Sequence, residues 1–191
     1  MSDQPVLLGI SGSLRKASLC KTILQNIVGL TENRATLEIF PLDSVPPYNQ
    51  DLDNESPPGS VVALRQAIER AAGLVIVTPE YNYGISGVLK NALDWASRPY
   101  GETKLKGKPV LTLSASPAFT GGVRAQSQLN ETLLSNAALL VLRPQIVIGM
   151  AHEKVRDGRI IDRATTRALS DGLDDLLRDI SGKTTVAGRE T

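Results

Sequence analysis

The sequence contains very few of the residues that carry metal, thiol or disulfide chemistry. Its 191 residues include one cysteine, Cys20, and one histidine, His152. A single cysteine excludes an internal disulfide framework. One histidine and one cysteine also argue against a transition-metal centre, so we expect no metal. Asn26 stands where a Cys-x5-Arg phosphatase would need its arginine, so Cys20 is not expected to be a nucleophile.

Long apolar runs and long runs of one charge sign are missing too. The formal net charge is +1, which argues against nucleic acid as a partner. The apolar runs are too short to span a membrane. The N-terminal segment MSDQPVLLGIS has neither the basic region nor the apolar region of a signal peptide. We therefore expect a cytoplasmic protein without a membrane segment.

Short apolar runs alternate with amphipathic segments along most of the chain. This alternation predicts a parallel sheet with helices on both faces. Five such units favour a flavodoxin-like doubly wound α/β fold with strand order 2-1-3-4-5, and a dinucleotide-binding Rossmann half is the alternative. We predict one domain over residues 1–181 and a disordered tail over 182–191. The predicted strands lie near residues 6–10, 35–40, 73–79, 108–116 and 139–149, the last interrupted at Arg143-Pro144. The predicted helices lie at 19–30, with Ser18 as N-cap, and at 61–72, 86–96, 123–138 and 162–180.

In either fold, a ligand binds beyond the carboxyl ends of the strands, so the loops there are candidates. The first, GISGSLRKAS, places Ser11, Ser13, Arg15 and Ser18 between a strand and a helix N-terminus. Backbone N–H groups at a helix start and a guanidinium both suit a phosphate. The loop matches neither a P-loop nor G-x-G-x-x-G. The alternative is a serine-rich turn that only caps the helix.

The loop after the third strand contains two of the four tyrosines of the chain. Pro79 ends the strand, and Glu80, Tyr81, Asn82 and Tyr83 follow it. Exposed backbone N–H groups between aromatic side chains suit a planar heterocycle with polar edges, such as a flavin. The alternative is a loop whose tyrosines pack on the edge of the sheet.

The loop after the fourth strand, which begins at Ser114, is made of small residues. Gly121 and Gly122 leave room for a flavin ring and for a second ring stacked on it. Arg124 stands at a helix start, where the helix dipole disfavours a cation. We therefore expect Arg124 to bind another anion or a neighbouring subunit, or else to be a solvated surface residue.

Two long motifs carry a resemblance to a known family. They are GSLRKAS, over residues 12–18, and PEYNYGISGVLKNALDW, over residues 79–95; the segment 121–124 also fits. Together they resemble the NADPH-dependent FMN reductase family, particularly its chromate, quinone and azo reductase branch, over roughly residues 5–180.

The resemblance implies roles for the residues of these loops. Ser13, Arg15 and Ser18, with Ser11 beside them, would hold the phosphate of FMN. Residues 79–83 would line the flavin ring and ribityl chain, and Ser114, Gly121 and Gly122 would lie against the flavin. It also implies a homodimer or homotetramer with the flavin near a subunit interface. The chain departs from the family where Cys20 replaces a common asparagine and Ser86 a common proline.

The predicted function is an FMN-dependent oxidoreductase that passes electrons from NADPH, or NADH, to a small acceptor such as a quinone, chromate, an azo compound or free flavin. No protein nucleophile is required. Glu80 and Arg124 would support the site or contact a neighbouring subunit. Four cations are candidates for the 2′-phosphate of NADPH: Arg15, Arg98, Lys108 and Arg124. The alternatives are a flavodoxin-like electron carrier with a protein partner and a receiver-type signalling domain.

Overall fold

The structure is a computed structural model that describes residues 4–187, with side chains described through residue 182. Among these residues, no helix is both long enough and apolar enough to cross a membrane.

A parallel sheet forms the centre of the molecule. Its strands are β1 (Val6–Ser11), β2 (Thr36–Phe40), β3 (Gly73–Thr78), β4 (Pro109–Ala115), β5 (Leu139–Leu140) and β6 (Ile146–Ile148). The order is β2-β1-β3-β4-β5, and β6 pairs with β4 beyond β5. This confirms the predicted flavodoxin-like order and excludes the Rossmann alternative. The crossing from β1 to β3 creates the switch point at which the loops after β1, β3 and β4 meet.

Five helices cover the two faces of the sheet: α1 (Leu19–Leu30), α2 (Gly59–Arg70), α3 (Gly87–Ala96), α4 (Val123–Ser135) and α5 (Arg163–Ala187). Successive strand residues point to opposite faces. Leu7 belongs to the core that contains α1 and α5, whereas Leu8 belongs to the core that contains α2, α3 and α4. Burial on both faces explains why the strands read as continuous apolar runs.

The fifth strand position is split, as the Arg143-Pro144 interruption predicted. Between β5 and β6, the chain leaves the sheet, so the edge of β4 that faces away from β3 has no strand partner there. The side-chain amide of Gln126 donates to the carbonyl oxygen of Thr112 at 2.9 Å in place of a strand N–H.

Two features near the C-terminus differ from expectation. The antiparallel hairpin of β7 (Val155–Arg156) and β8 (Arg159–Ile160) was not predicted, and Asn26 holds it against α1 through the Gly158 carbonyl and the Ile160 N–H. Helix α5 continues past Ile180 to Ala187, because a lone glycine costs too little to stop a helix. Residues 188–191 of the predicted tail lie outside the described residues.

The long proline-rich loop between β2 and α2 is fixed to α3. Asn91 accepts from the N–H of Tyr48 at 2.6 Å and donates to the Pro46 carbonyl at 2.9 Å. The Trp95 indole donates to the same carbonyl at 2.8 Å and is fully buried. Trp95 is therefore a core residue that anchors this loop.

Candidate functional site

The loop between β1 and α1 contains the serines expected at a phosphate site. Ser18 is the N-cap of α1, and its hydroxyl accepts from the N–H of Lys21 at 3.2 Å. Its side chain is buried. The Ser11 hydroxyl accepts from the N–H of Ser13 at 3.3 Å, and the Ser13 hydroxyl accepts from the N–H of Arg15 at 3.4 Å. The serines therefore shape the loop and cap the helix.

The same loop still offers an unfilled set of donors. In the part of the chain that the structure describes, the backbone N–H groups of Leu14, Lys16 and Ala17 have no protein acceptor. The exposed guanidinium of Arg15 has no carboxylate partner there. Backbone N–H groups and a guanidinium before a helix N-terminus match the oxygens of a phosphate. The donor set therefore fits the phosphate of FMN.

The segment after β3 is a two-residue hairpin turn. Tyr81 and Gly84 exchange two backbone hydrogen bonds of 3.0 Å. Asn82 and Tyr83 between them have φ angles of 49° and 66°, the left-handed pair of a type I′ turn. Tyr81 and Tyr83 are 49% and 72% exposed, so they do not pack on the edge of the sheet. The turn presents both rings at the switch point.

The β1 loop is joined to both ends of the segment that carries the β3 turn. The Gly12 N–H donates to the carbonyl of Val77 in β3 at 2.9 Å, and the hydroxyl of Ser86 at the start of α3 donates to the Gly12 carbonyl at 2.6 Å. A Cβ at Gly12 would lie 2.8 Å from Cδ of Pro79. Only glycine permits this approach, so the backbone of the β1 loop lies directly against the segment that carries the turn.

Glu80 connects the β3 turn to α4. Its Oε2 accepts from the backbone N–H groups of Arg124 and Ala125 at 3.1 and 3.2 Å. The N-cap residue Gly122 has no side chain, so Glu80 supplies the cap from another loop. The Arg124 guanidinium lies 3.7 Å from Oε1 of Glu80 and 4.3 Å from the ring centre of Tyr83. Glu80 is therefore the anion that offsets the unfavourable position of Arg124 at the helix start, and it belongs to the same chain.

The loop between β4 and α4 closes the third side of the site. Gly121 and Gly122 have φ angles of 61° and 89°, and a Cβ at Gly121 would lie 2.5 Å from Cγ1 of Val147. Ser114 is fully buried, and its hydroxyl lies 3.1 Å from Oε1 of Gln126. Its side chain is thus engaged inside the protein. Phe119, which sequence reasoning missed, is 88% exposed at the tip of this loop.

A cavity of about 600 Å³ lies beside the phosphate-binding donors of the β1 loop, on the side toward the end of β2. Ser11, Ser13 and Arg15 line one side of it, whereas the β3 and β4 loops do not contribute. Its lining includes Lys16 and Lys21, two cations to which the sequence analysis gave no role. Lys16 lies within the GSLRKAS motif, and Lys21 is an isolated lysine.

The residues suited to covalent or metal chemistry are not placed to act at these loops: Cys20 is buried in the first turn of α1, and His152 follows β6. Burial raises the pKa of the Cys20 thiol to about 12, which makes it a poor nucleophile. His152 is 52% exposed, beside Glu153. Among the described residues, no group of three or more histidine, cysteine or acidic side chains is placed to hold a metal.

Comparison with known proteins agrees with this geometry. A family model described as NADPH-dependent FMN reductase matches residues 5–153. An NAD(P)H-dependent FMN reductase of Pseudomonas aeruginosa is 40% identical over 163 residues, which cover 85% of this chain and 88% of that protein. A quinone reductase of Escherichia coli K12 is 37% identical over 171 residues, which cover 86% of this chain and 89% of that protein.

A solved structure gives the same result. The flavoenzyme NAD(P)H:(acceptor) oxidoreductase FerB of Paracoccus denitrificans superimposes with a TM-score of 0.84 at 33% identity, covering 93% of this chain and 98% of that one. The chain belongs to the NADPH-dependent FMN reductase family. This membership confirms the resemblance and the expected class, an oxidoreductase that uses FMN and NAD(P)H. It does not favour an electron carrier or a signalling domain.

Proposed function

We propose that this FMN reductase family member passes electrons from NAD(P)H to a small acceptor, with quinones as the first class to test. The observation that carries the proposal is the fixed junction of two loops. Gly12 ties the phosphate-binding donors after β1 to Val77 of β3 and to Ser86 at the start of α3, on either side of the aromatic turn, through hydrogen bonds of 2.9 and 2.6 Å. A phosphate site fixed beside a ring site suits a mononucleotide with a planar ring.

The residues that we propose for FMN are those of the three loops. The N–H groups after Ser13, with the Arg15 guanidinium, would bind the phosphate, and Ser11 and Ser18 would shape that loop. Pro79, Tyr81, Asn82 and Tyr83 would lie along the ring, and Gly121 and Gly122 would allow its close approach. Ser114 would support the loop from inside. Bound FMN supplies the redox chemistry, namely hydride acceptance from NAD(P)H and electron delivery to the acceptor.

Glu80 and Arg124 would keep the ring site in shape without touching the reacting atoms. Glu80 fixes the start of α4, and Arg124 covers one face of Tyr83. The carboxylate of Glu80 accepts from two N–H groups at the start of α4, and the Arg124 guanidinium lies 3.7 Å from its Oε1. These partners offset its charge, so it would add little repulsion toward an electron-rich reduced flavin.

The acceptor and the assembly are further parts of this proposal. The exposed rings of Tyr81, Tyr83 and Phe119 suit stacking of a flat acceptor. A homodimer or homotetramer is the assembly that the family resemblance implies. A cytoplasmic location would give the enzyme access to NAD(P)H.

The test is a visible absorption spectrum of purified protein that has been loaded with FMN and desalted. We expect the flavin band to persist, to bleach on anaerobic addition of NADPH and to return on addition of a benzoquinone. A flavin band that persists without bleaching would instead support an electron carrier. A protein that retains no flavin would contradict the proposed site.

A further inference from the structure

We propose that the cavity between α1 and the end of β2 binds the adenosine 2′-phosphate end of NADPH, and that Lys16 and Lys21 give the enzyme a preference for NADPH over NADH. The inference rests on the proposed function, since it assigns a second subsite to the same reaction. The sequence alone offered four cations for the 2′-phosphate and no means of choosing among them.

The cavity has the size and lining of a nucleoside site. Its volume of about 600 Å³ lies within the usual range of small-molecule pockets, about 300–1,000 Å³. Ile39, Phe40, Pro41 and Leu42 form an apolar wall at the end of β2, and Gln25 of α1 adds an amide. An apolar wall with a few polar groups suits the adenine ring and its edge.

The charge of the cavity suits a dianion. Arg15, Lys16 and Lys21 line it, against one carboxylate, Asp43. All three cations are exposed, and among the side chains that the structure describes, those of residues 4–182, none forms an ion pair with them. Cations that lack an internal carboxylate partner can bind a phosphate group without first breaking an existing pair.

The fold removes the other candidates for the 2′-phosphate. Arg98 follows the end of α3, whose ten residues carry the chain about 15 Å away from the carboxyl edge of the sheet. Lys108 precedes β4 at that opposite edge, where its ammonium donates to the carbonyls of Glu69 and Ala71. Arg124 is already engaged by Glu80 and Tyr83.

Asp43 opposes the effect of the two lysines on the preference for NADPH over NADH, so substitutions can shift this preference in either direction. A carboxylate beside the ribose would accept a hydrogen bond from the 2′-hydroxyl of NADH and repel a 2′-phosphate. The two positive charges of Lys16 and Lys21 exceed the single negative charge of Asp43 at the cavity wall. Arg15 would contribute to this site and to the FMN phosphate site. Removal of the lysines and removal of Asp43 should therefore move the nucleotide preference in opposite directions.

The first experiment measures equilibrium binding to the FMN-loaded protein by calorimetry, with adenosine 2′,5′-bisphosphate and 5′-AMP as probes. We expect the bisphosphate to bind at least about tenfold more tightly than 5′-AMP, which reflects one charge-assisted phosphate contact. The double variant Lys16→Ala, Lys21→Ala should lose most of this difference. Lys106→Ala, an exposed lysine in a different part of the surface, is the matched control.

The second experiment measures the ratio of kcat/KM for NADPH to kcat/KM for NADH. We expect the ratio to fall about tenfold in the double lysine variant and to rise in Asp43→Asn. An unchanged ratio together with unchanged bisphosphate binding overturns the inference. Loss of FMN on desalting of the lysine variant also overturns it, because the cavity would then belong to the FMN site.

These outcomes separate the inference from the proposed function. If neither nucleotide bleaches the flavin of the wild-type protein, the proposed function fails, and the calorimetry still tests the cavity. If both nucleotides bleach it and the variants leave the preference unchanged, the proposed function stands and only the cavity assignment fails.

Discussion

The carboxylate of Glu80 accepts a hydrogen bond from the backbone N–H of Ala125 at 3.2 Å, although the two residues are 45 positions apart in the sequence. The bond crosses from the turn after β3 to the first turn of α4. It places a negative charge where the helix dipole favours one. The start of α4 and the tyrosine turn therefore behave as one unit.

Glu80→Ala should destabilise the protein by about 2 kcal/mol, because two helix N–H groups lose their acceptor in a nearly buried site. Glu80→Gln keeps an acceptor but loses the charge, and we expect a loss of about 0.5–1 kcal/mol. Urea unfolding of the flavin-free proteins measures both values. FMN affinity, measured separately by fluorescence titration, should fall in the same order.

Glu131→Gln is the matched control for this series, because Glu131 is an exposed residue of the same helix. Its effect should stay within about 0.5 kcal/mol. Equal effects of the substitutions at positions 80 and 131 would show that Glu80 is not a cap.

Gly12→Ala should both destabilise the protein and weaken FMN binding. The new methyl group would lie 2.8 Å from Cδ of Pro79 and 3.2 Å from Cδ2 of Leu89, so the β1 loop and the β3 turn must separate. Overpacking of this kind costs about 1–3 kcal/mol. Thermal unfolding with and without FMN separates the loss of folding stability from the loss of binding.

Gly29→Ala is the control for Gly12→Ala, because the added methyl group should stabilise the protein there. A Cβ at Gly29, near the end of α1, would meet no atom within 4 Å. Alanine in a helix is more stable than glycine by about 0.5–1 kcal/mol, so this variant should be stabilised and should retain FMN. A stable Gly12→Ala variant with unchanged FMN binding would contradict the proposed junction.

The alternation of apolar runs with amphipathic segments predicted the sheet order, because β1 to β4 and the five helices are long enough to show their patterns. The hairpin of β7 and β8 escaped detection because a two-residue strand has no period to recognise. The end of α5 was placed too early, at Ile180, because Gly182 and the polar residues after it read as a stop signal.

The sequence indicates where the candidate loops lie more readily than which partners their side chains contact. Local chemistry located the turn at Tyr81 and Tyr83, since turn residues act within a few positions. The partners of Glu80 and Ser114 come from α4, and only the tertiary structure brings them into contact. Ser18 matched a phosphate motif and a helix cap equally well, and a local pattern cannot separate these two uses of a hydroxyl.

Cys20 should be inert toward thiol reagents in the folded protein. Burial raises its pKa to about 12, so almost none of the thiolate exists at pH 8. We expect alkylation by iodoacetamide, followed by mass spectrometry, to be at least about a hundredfold slower than in the urea-unfolded chain. Rapid labelling under native conditions would contradict the buried position of this residue at the start of α1.

Asp162 should make the stability of α5 depend on pH. Hydrogen bonds from the hydroxyl and the N–H of Thr165, at 2.6 and 2.7 Å, lower the pKa of its carboxyl below 3.8 in the folded state. Folding therefore favours the ionised form. This contribution is complete above the unfolded pKa of about 3.9 and is lost as the pH falls through the lower folded value.

The comparison is between the wild-type protein and Asp162→Asn, which keeps an acceptor at the N-cap without a charge. At pH 7 the wild-type protein should be the more stable, by up to about 1 kcal/mol. The difference should begin to shrink as the pH falls below about 4, since protonation removes the charge that the variant lacks. Urea unfolding at intervals between pH 7 and pH 3 measures this difference in stability. The contributions of the other carboxylates cancel in the difference, because both proteins contain them. A difference that stays constant down to pH 3 would mean that the cap acts through its shape and not through its charge.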